Sequence, residues 1–212
     1  MSFLNSDLHS DLVCLSRFGF FGGRGRGSLD GWSRMVCRVP SGVKFFVKYA
    51  DVNWATWRPR ETATLVFVRM DGMVLLIRKL QGMGAGLLNA PGGRVEPGET
   101  PLEGAIREAR EELHVTPFNP QEAGVLEFEF TDGYSLRCHV FTASSYDGVP
   151  VETEEAIPLW IDEREMPYNQ MWADDRVWFP LVLAGRKFRG RFLFEGEQML
   201  GCEMDIEPPT ET

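Results

Sequence analysis

One stretch constrains this chain more than any other: GGRVEPGETPLEGAIREAREELHV, residues 92–115. Its opening glycines mark a loop with backbone positions suited to positive φ. Thr100 then suits a helix N-cap and Pro101 the first helical position. Glu103, three residues on, completes a capping box. The pattern predicts a helix through about Leu113, closed down by Pro117. On that helix Glu108 and Glu112 stand at i and i+4, with Glu111 at i+3. These separations put all three on one face, about 6 Å apart at the backbone. Like charges on one stripe repel, so the arrangement destabilises an empty helix. A hard divalent cation removes that penalty. An all-oxygen donor set favours Mg²⁺, with Mn²⁺ as a substitute. Ile106, Ala109 and Leu113 lie on the other side and are expected to supply the buried face. A merely solvated acidic surface is the plainer alternative, and the stripe alone does not decide between them.

The surrounding pattern is mostly strand. TATLVFVRM and MVLLIRKL flank Asp71-Gly72, a strong hairpin signal. After the helix come GVLEFEF and YSLRCHVFTAS with Asp132-Gly133 between them, then ETEEAIPLWI. MWADDRVWFPLVLAGRKF reads as a second helix, with Asp174 and Asp175 near its start and Gly185 near its end. GRFLFEGEQMLGCEMDIE reads as a closing hairpin. Strands interleaved with two helices predict an α+β chain, an α/β/α sandwich on a mixed sheet. Residues 1–60 are expected to be an N-terminal extension: a flexible, glycine-rich tail, then a hairpin in which MVCRV and VKFFVKYA flank Pro40-Ser41-Gly42. Residues 61–212 are expected to form the main domain.

The chain has 212 residues and a formal net charge of −9. That balance argues against binding nucleic acid polymers, which needs a basic surface. It leaves nucleotides open, because a metal ion bridges acidic side chains to phosphates. The four widely spaced cysteines contain no C-x-x-C pair and read as reduced, mostly structural thiols, with Cys138 in the core. The first residues lack the apolar stretch of a secretory leader, and no segment reaches the roughly 18 apolar residues of a membrane span. A cytoplasmic protein, monomer or homodimer, with no membrane partner is the expectation.

The central segment resembles the Nudix box, G-x5-E-x7-R-E-U-x-E-E-x-G-U, where U is bulky and apolar. Gly93, Glu99, Arg107, Glu108, Glu111 and Glu112 match, with Val115 at the last apolar position. Six fixed residues of roughly 6% abundance each recur by chance about once in ten million starts. Two positions depart: His114 stands for the glycine and Ala109 for a bulkier residue. Neither is a metal ligand, and His tolerates the positive φ a helix-ending turn needs. The resemblance implies a Nudix fold and hydrolysis of a nucleoside-diphosphate-linked substrate. Glu108, Glu111 and Glu112 would hold the metal, joined by the Gly92 carbonyl and by Glu155. Arg107 and Glu99 would lock loop to helix. Water attacks a phosphorus, and Glu111, Glu112 or Glu155 deprotonates it.

From about Thr62 to Asp205 the chain also resembles one branch of that family, the MutT-homologue oxidised purine nucleoside triphosphate hydrolases, through GMGAG…N, FEF, HVF, PVE…E and MW-DD–WFP. That likeness implies substrates such as 8-oxo-dGTP or 2-oxo-dATP and a role in sanitising the nucleotide pool. Asn89, Asp174 and Asp175 would read the purine edge, Trp172 and Phe128 would stack on it, and Lys79 would lie near the substrate. Each also has a plainer reading: the two aspartates as helix caps, the aromatics as core, Asn89 as a turn residue and Glu155 as surface. Met83, Leu88 and Pro91 replace aromatics of that branch. Rival readings are a Nudix hydrolase of ADP-ribose, a dinucleoside polyphosphate or capped RNA, and a non-catalytic Nudix-fold nucleotide-binding module.

Overall fold

The computed structural model describes residues 32–38 and 48–208. The expected tail, and most of the hairpin strand VKFFVKYA, lie outside the described residues. Asp71 and Gly72 adopt φ of 53° and 74°, the left-handed pair of a two-residue turn whose twist matches its strands. They join β2 (Glu61–Met70) to β3 (Met73–Lys79). A two-residue β4 (Leu88–Asn89) and the glycine loop lead into α1 (Pro101–Leu113). Then follow β5 (Val115–Pro117), β6 (Gln121–Phe130), β7 (Ser135–Ala143), β8 (Tyr146–Gly148) and β9 (Ala156–Asp162). The chain closes with α2 (Asp175–Leu183), β10 (Phe188–Glu195) and β11 (Gln198–Ile206).

Among the described residues nine strands form one mixed sheet in the order β1-β11-β10-β6-β7-β2-β3-β4, with β9 on the other edge of β3 and β1 spanning Ser33–Arg38. β2 runs parallel to β7, and β10 parallel to β6. Strand side chains alternate between faces, so each central strand feeds two apolar layers. Val66, Val68, Leu75 and Ile77 pack under Ala105, Ala109 and Leu113 of α1. Phe67, Val74 and Leu76 pack under Trp178, Phe179 and Val182 of α2. Full burial of each such large side chain stabilises the fold by about 1.5–3 kcal/mol. The layering is the expected α/β/α sandwich.

Of three expectations, the first falls mostly outside the described residues and the other two are corrected. Met35–Arg38 lie in β1, which pairs with β11 from Ser33↔Ile206 to Arg38↔Gly201, while the expected turn and most of the second hairpin strand lie outside the described residues. The main sheet thus includes Ser33–Arg38. Second, Ile106 is only half-buried, while Ala105 has no exposure. The buried stripe of α1 is 105, 109, 112 and 113, a helical spacing that takes Glu112 inward with it. Third, Cys202 is disulfide-bonded, so the reduced reading fails for it. Cys138 is free and buried in the core, as expected. Among the described residues no helix is long and apolar enough to cross a membrane.

Candidate active site

β3 has two edges. β9 pairs with one along Met73–Lys79. On the other, β2 pairs only with Met73, Val74 and Leu75, and β4 with Ile77 and Arg78. β2 thus leaves β3 midway, and the chain after β4 fills the opening. Val66 N–H donates to Pro91 O, Thr64 N–H to Gly93 O and Val95 N–H to Thr62 O, each at 2.9 Å. This approach is open only to glycine: a Cβ on Gly92 would strike the Thr64 carbonyl, and one on Gly93 the Glu108 carboxylate. The paired glycines therefore let α1 close onto β2.

The helix itself forms as its sequence dictates. Thr100 and Glu103 make the reciprocal capping box, and His114 ends the helix at φ 60°. Glu112 is 1% exposed. Its Oε2 accepts from Gly92 N–H at 2.8 Å, and its Oε1 lies 3.4 Å from Lys79 Nζ. Burial outweighs both partners and pushes its pKa up to about 7. Burial also raises Glu108, against the pull of Arg107, whereas Glu111 is exposed.

Arg107 links the glycine loop to the helix. Its Nη2 and Nε donate to Glu99 at 2.7 and 3.2 Å, and Nη2 also reaches the Arg94 carbonyl at 2.9 Å. That guanidinium holds Glu99 below its ordinary range. Nη1 spans two further carboxylates, Glu108 and Glu111, at 2.9 Å each. With Arg107 and Lys79 in these places, no three acidic, His or Cys side chains among the described residues converge on one point.

The donor set nonetheless fits a hard divalent cation. It is oxygen-only, its Glu112 carboxylate is buried and under-compensated, and the missing Gly93 side chain makes the room that the Glu108 carboxylate fills. Gly92 meets the set through its N–H, which donates to Glu112. Glu155 is exposed, and only its backbone is held, by Thr153 Oγ1 at 3.3 Å and by Leu80 N–H at 2.8 Å. Thr153 in turn donates to the Glu112 carbonyl at 3.0 Å, so the segment of Glu155 is tied to the end of α1.

The residues expected at a base gather against the other face of the sheet, with α2. Trp172 meets Phe194 edge-on at 5.9 Å, and Phe128 stacks on Phe192 at 5.4 Å and lies 6.2 Å from Phe194. Asp174 and Asp175 are each 3% exposed. The capping alternative fails for Asp174, which makes no side-chain cap; its Oδ2 instead accepts from Trp178 Nε1 at 2.8 Å. Burial pushes Asp174 up to about 6 and Asp175 well above the ordinary carboxylate range, the latter also by repulsion from its neighbour. Asp175 Oδ2 is buried with no hydrogen-bond partner among the described residues.

Asn89 ends β4, its Oδ1 accepting from Ala90 N–H at 2.8 Å. It precedes Gly92 by three residues, so one short segment joins the two groups of side chains. Lys79 stands with the carboxylates and not with the aromatics. Sequence reasoning missed Trp178 as the partner of Asp174, and Phe192 and Phe194 as the extension of the aromatic row. Their alternation in FRGRFLFE was the available signal. It also missed Thr64, a buried hydroxyl with no partner among the described residues, which carries no signal in the sequence.

Comparisons with known proteins place the chain in a family. The family described as NUDIX domain matches residues 58–182. The chain is 43% identical over 138 residues to an oxidized purine nucleoside triphosphate hydrolase of Danio rerio, covering 65% of this chain and 88% of that protein. It is 39% identical over 138 residues to the protein of the same description from Mus musculus, with the same coverage. A crystal structure of a MutT protein from Bacillus halodurans superposes with a TM-score of 0.62 at 28% identity, covering 68% of this chain and 97% of that one.

Proposed function

This chain belongs to the Nudix family, and from that premise we propose that it hydrolyses an oxidised purine nucleoside triphosphate, such as 8-oxo-dGTP or 2-oxo-dATP, to the monophosphate and pyrophosphate. Such a reaction sanitises the cytoplasmic nucleotide pool. The observation that carries the substrate class is Asp175 Oδ2, a carboxyl oxygen buried without a partner beside a second buried acid. An unsatisfied buried polar atom costs about 1–3 kcal/mol, a penalty that the polar edge of a bound purine removes. Burial raises both acids, and repulsion from Asp174 raises Asp175 further, which favours a proton shared by the pair. One acid then donates while the other accepts, which suits the changed donor and acceptor pattern of an oxidised base. Trp172 and Phe128 offer ring faces to the base, and Asn89 offers an amide whose nitrogen makes no hydrogen bond among the described residues.

Glu108, Glu111 and Glu112 would hold Mg²⁺, or Mn²⁺ in its place, with Glu155 approaching from its loop. A bound divalent ion neutralises charge on the phosphate oxygens. Arg107 and Glu99 keep α1 and the glycine loop in register, and Lys79 supplies positive charge next to Glu112. A carboxylate of the set, Glu111, Glu112 or Glu155, takes a proton from water. The water oxygen bonds to phosphorus, and the P–O–P bridge opens to leave monophosphate and pyrophosphate. The test is pyrophosphate release across a panel of oxidised and ordinary purine triphosphates, ADP-ribose and a dinucleoside polyphosphate, with Mg²⁺. The expected result is highest kcat/KM on an oxidised purine triphosphate. Preference for ADP-ribose or the dinucleoside would overturn the substrate class, and no turnover at all would overturn the enzyme.

A further inference from the structure

Two loops frame the aromatic side of the site, and one side chain outside the residues already assigned ties them together. Arg78 lies on β3 in alternation with Val74 and Leu76, whose side chains face α2. Its Nη1 donates to the Gly86 carbonyl at 3.0 Å and its Nη2 to Gln170 Oε1 at 3.1 Å. Gly86 closes the loop 82–86, in which Gly82, Gly84 and Gly86 have φ of 70°, 79° and 90°. Gln170 ends the 3₁₀ turn Tyr168–Gln170, two residues before Trp172. The loops also meet directly, since a Cβ on Gly84 would stand 2.8 Å from Trp172 Nε1.

We infer that Arg78 is a positioning residue that sets the width of the purine slot by clasping the glycine loop to the segment carrying Trp172, Asp174 and Asp175. The inference deepens the proposed function and rests on it. Arginine suits the task because its planar fork presents donors in two directions. A lysine ammonium lacks that fork. A loop with three positive-φ glycines has little stiffness of its own, so the clasp and the Gly84–Trp172 contact decide where it stands. A wider slot discriminates less between an oxidised and an ordinary purine, because the readers at its floor engage a looser base.

The experiment is steady-state kinetics on 8-oxo-dGTP and dGTP for wild type, Arg78→Lys, Arg78→Ala, Gln170→Ala and the Arg78→Ala/Gln170→Ala double variant, with urea midpoints for each. In Arg78→Ala, KM for 8-oxo-dGTP should rise by about threefold to tenfold, the range a lost hydrogen bond supplies, with kcat within about twofold. The ratio of kcat/KM for 8-oxo-dGTP over dGTP should fall. Arg78→Lys should fall between the two, and the double variant should match Arg78→Ala. Unchanged KM and ratio in a folded Arg78→Ala, or additive losses in the double variant, would overturn the clasp. Should Arg78→Ala not fold, Arg78→Lys and Gln170→Ala carry the same test. Wild-type protein inactive on both nucleotides would overturn the functional reading itself.

Discussion

Replacing Glu112 by Gln should stabilise the metal-free protein while abolishing turnover. Glu112 is 1% exposed, and burial raises its pKa from an ordinary 4.5 to about 7. Gln keeps an oxygen for the Gly92 N–H and loses only the Lys79 contact at 3.4 Å. For an acid whose folded pKa is raised, the stabilising contribution is complete below the unfolded value and is lost as pH climbs through the folded one. The window here runs from pH 4.5 to about 7. Near pH 4 both proteins carry a neutral group and should unfold alike. Above pH 7 wild type bears the whole burial cost, at about 1.4 kcal/mol per pKa unit, so Glu112→Gln should be more stable by up to about 3 kcal/mol. Urea unfolding in EDTA at pH 4.5, 6, 7 and 8.5 reads the gap, and added Mg²⁺ should raise wild type alone. A variant less stable than wild type at pH 8.5, or a gap independent of pH, would refute the account of Glu112.

Three further outcomes follow from the geometry. Gly93→Ala should force the Glu108 carboxylate aside and weaken Mn²⁺ binding by about tenfold or more, as read by calorimetry; unchanged affinity would mean that this carboxylate does not serve the ion. Asp174→Asn should keep the fold, because an amide oxygen still accepts from Trp178 Nε1, yet lower the preference for oxidised over ordinary purine by about tenfold in competition assays. Thr100→Ala removes the cap of α1 and should cost about 1 kcal/mol of stability in urea melts while leaving base preference intact.

Local chemistry was legible in the sequence, and long-range register was not. Thr100, Pro101 and Glu103 announce the start of α1, and His114 takes the left-handed φ its place in the box demands. Asp71-Gly72 likewise dictates the turn between β2 and β3. These features depend on neighbours a few residues away. The pairing of β1 with β11 joins residues far apart in sequence, and nothing local in MVCRV encodes that partner. β4, β5 and β8 span two or three residues, too few for alternation to register. In the site, residue types and spacing pointed to the carboxylates, but counting apolar positions hid the burial of Glu112. The reach of Lys79 to Glu112 depends on how α1 sits on β3, which emerges only in three dimensions. The plainer reading of Asp174 as a cap fell because its oxygen turns inward to Trp178.

Crystals soaked in Mn²⁺ and measured for anomalous scattering address the acidic face of α1 directly. The strongest peak should lie among the carboxylates of Glu108, Glu111 and Glu112, with the Arg107 and Lys79 side chains drawn back from them. A dominant peak remote from α1, with those carboxylates still held by Arg107 and Lys79, would contradict the assignment.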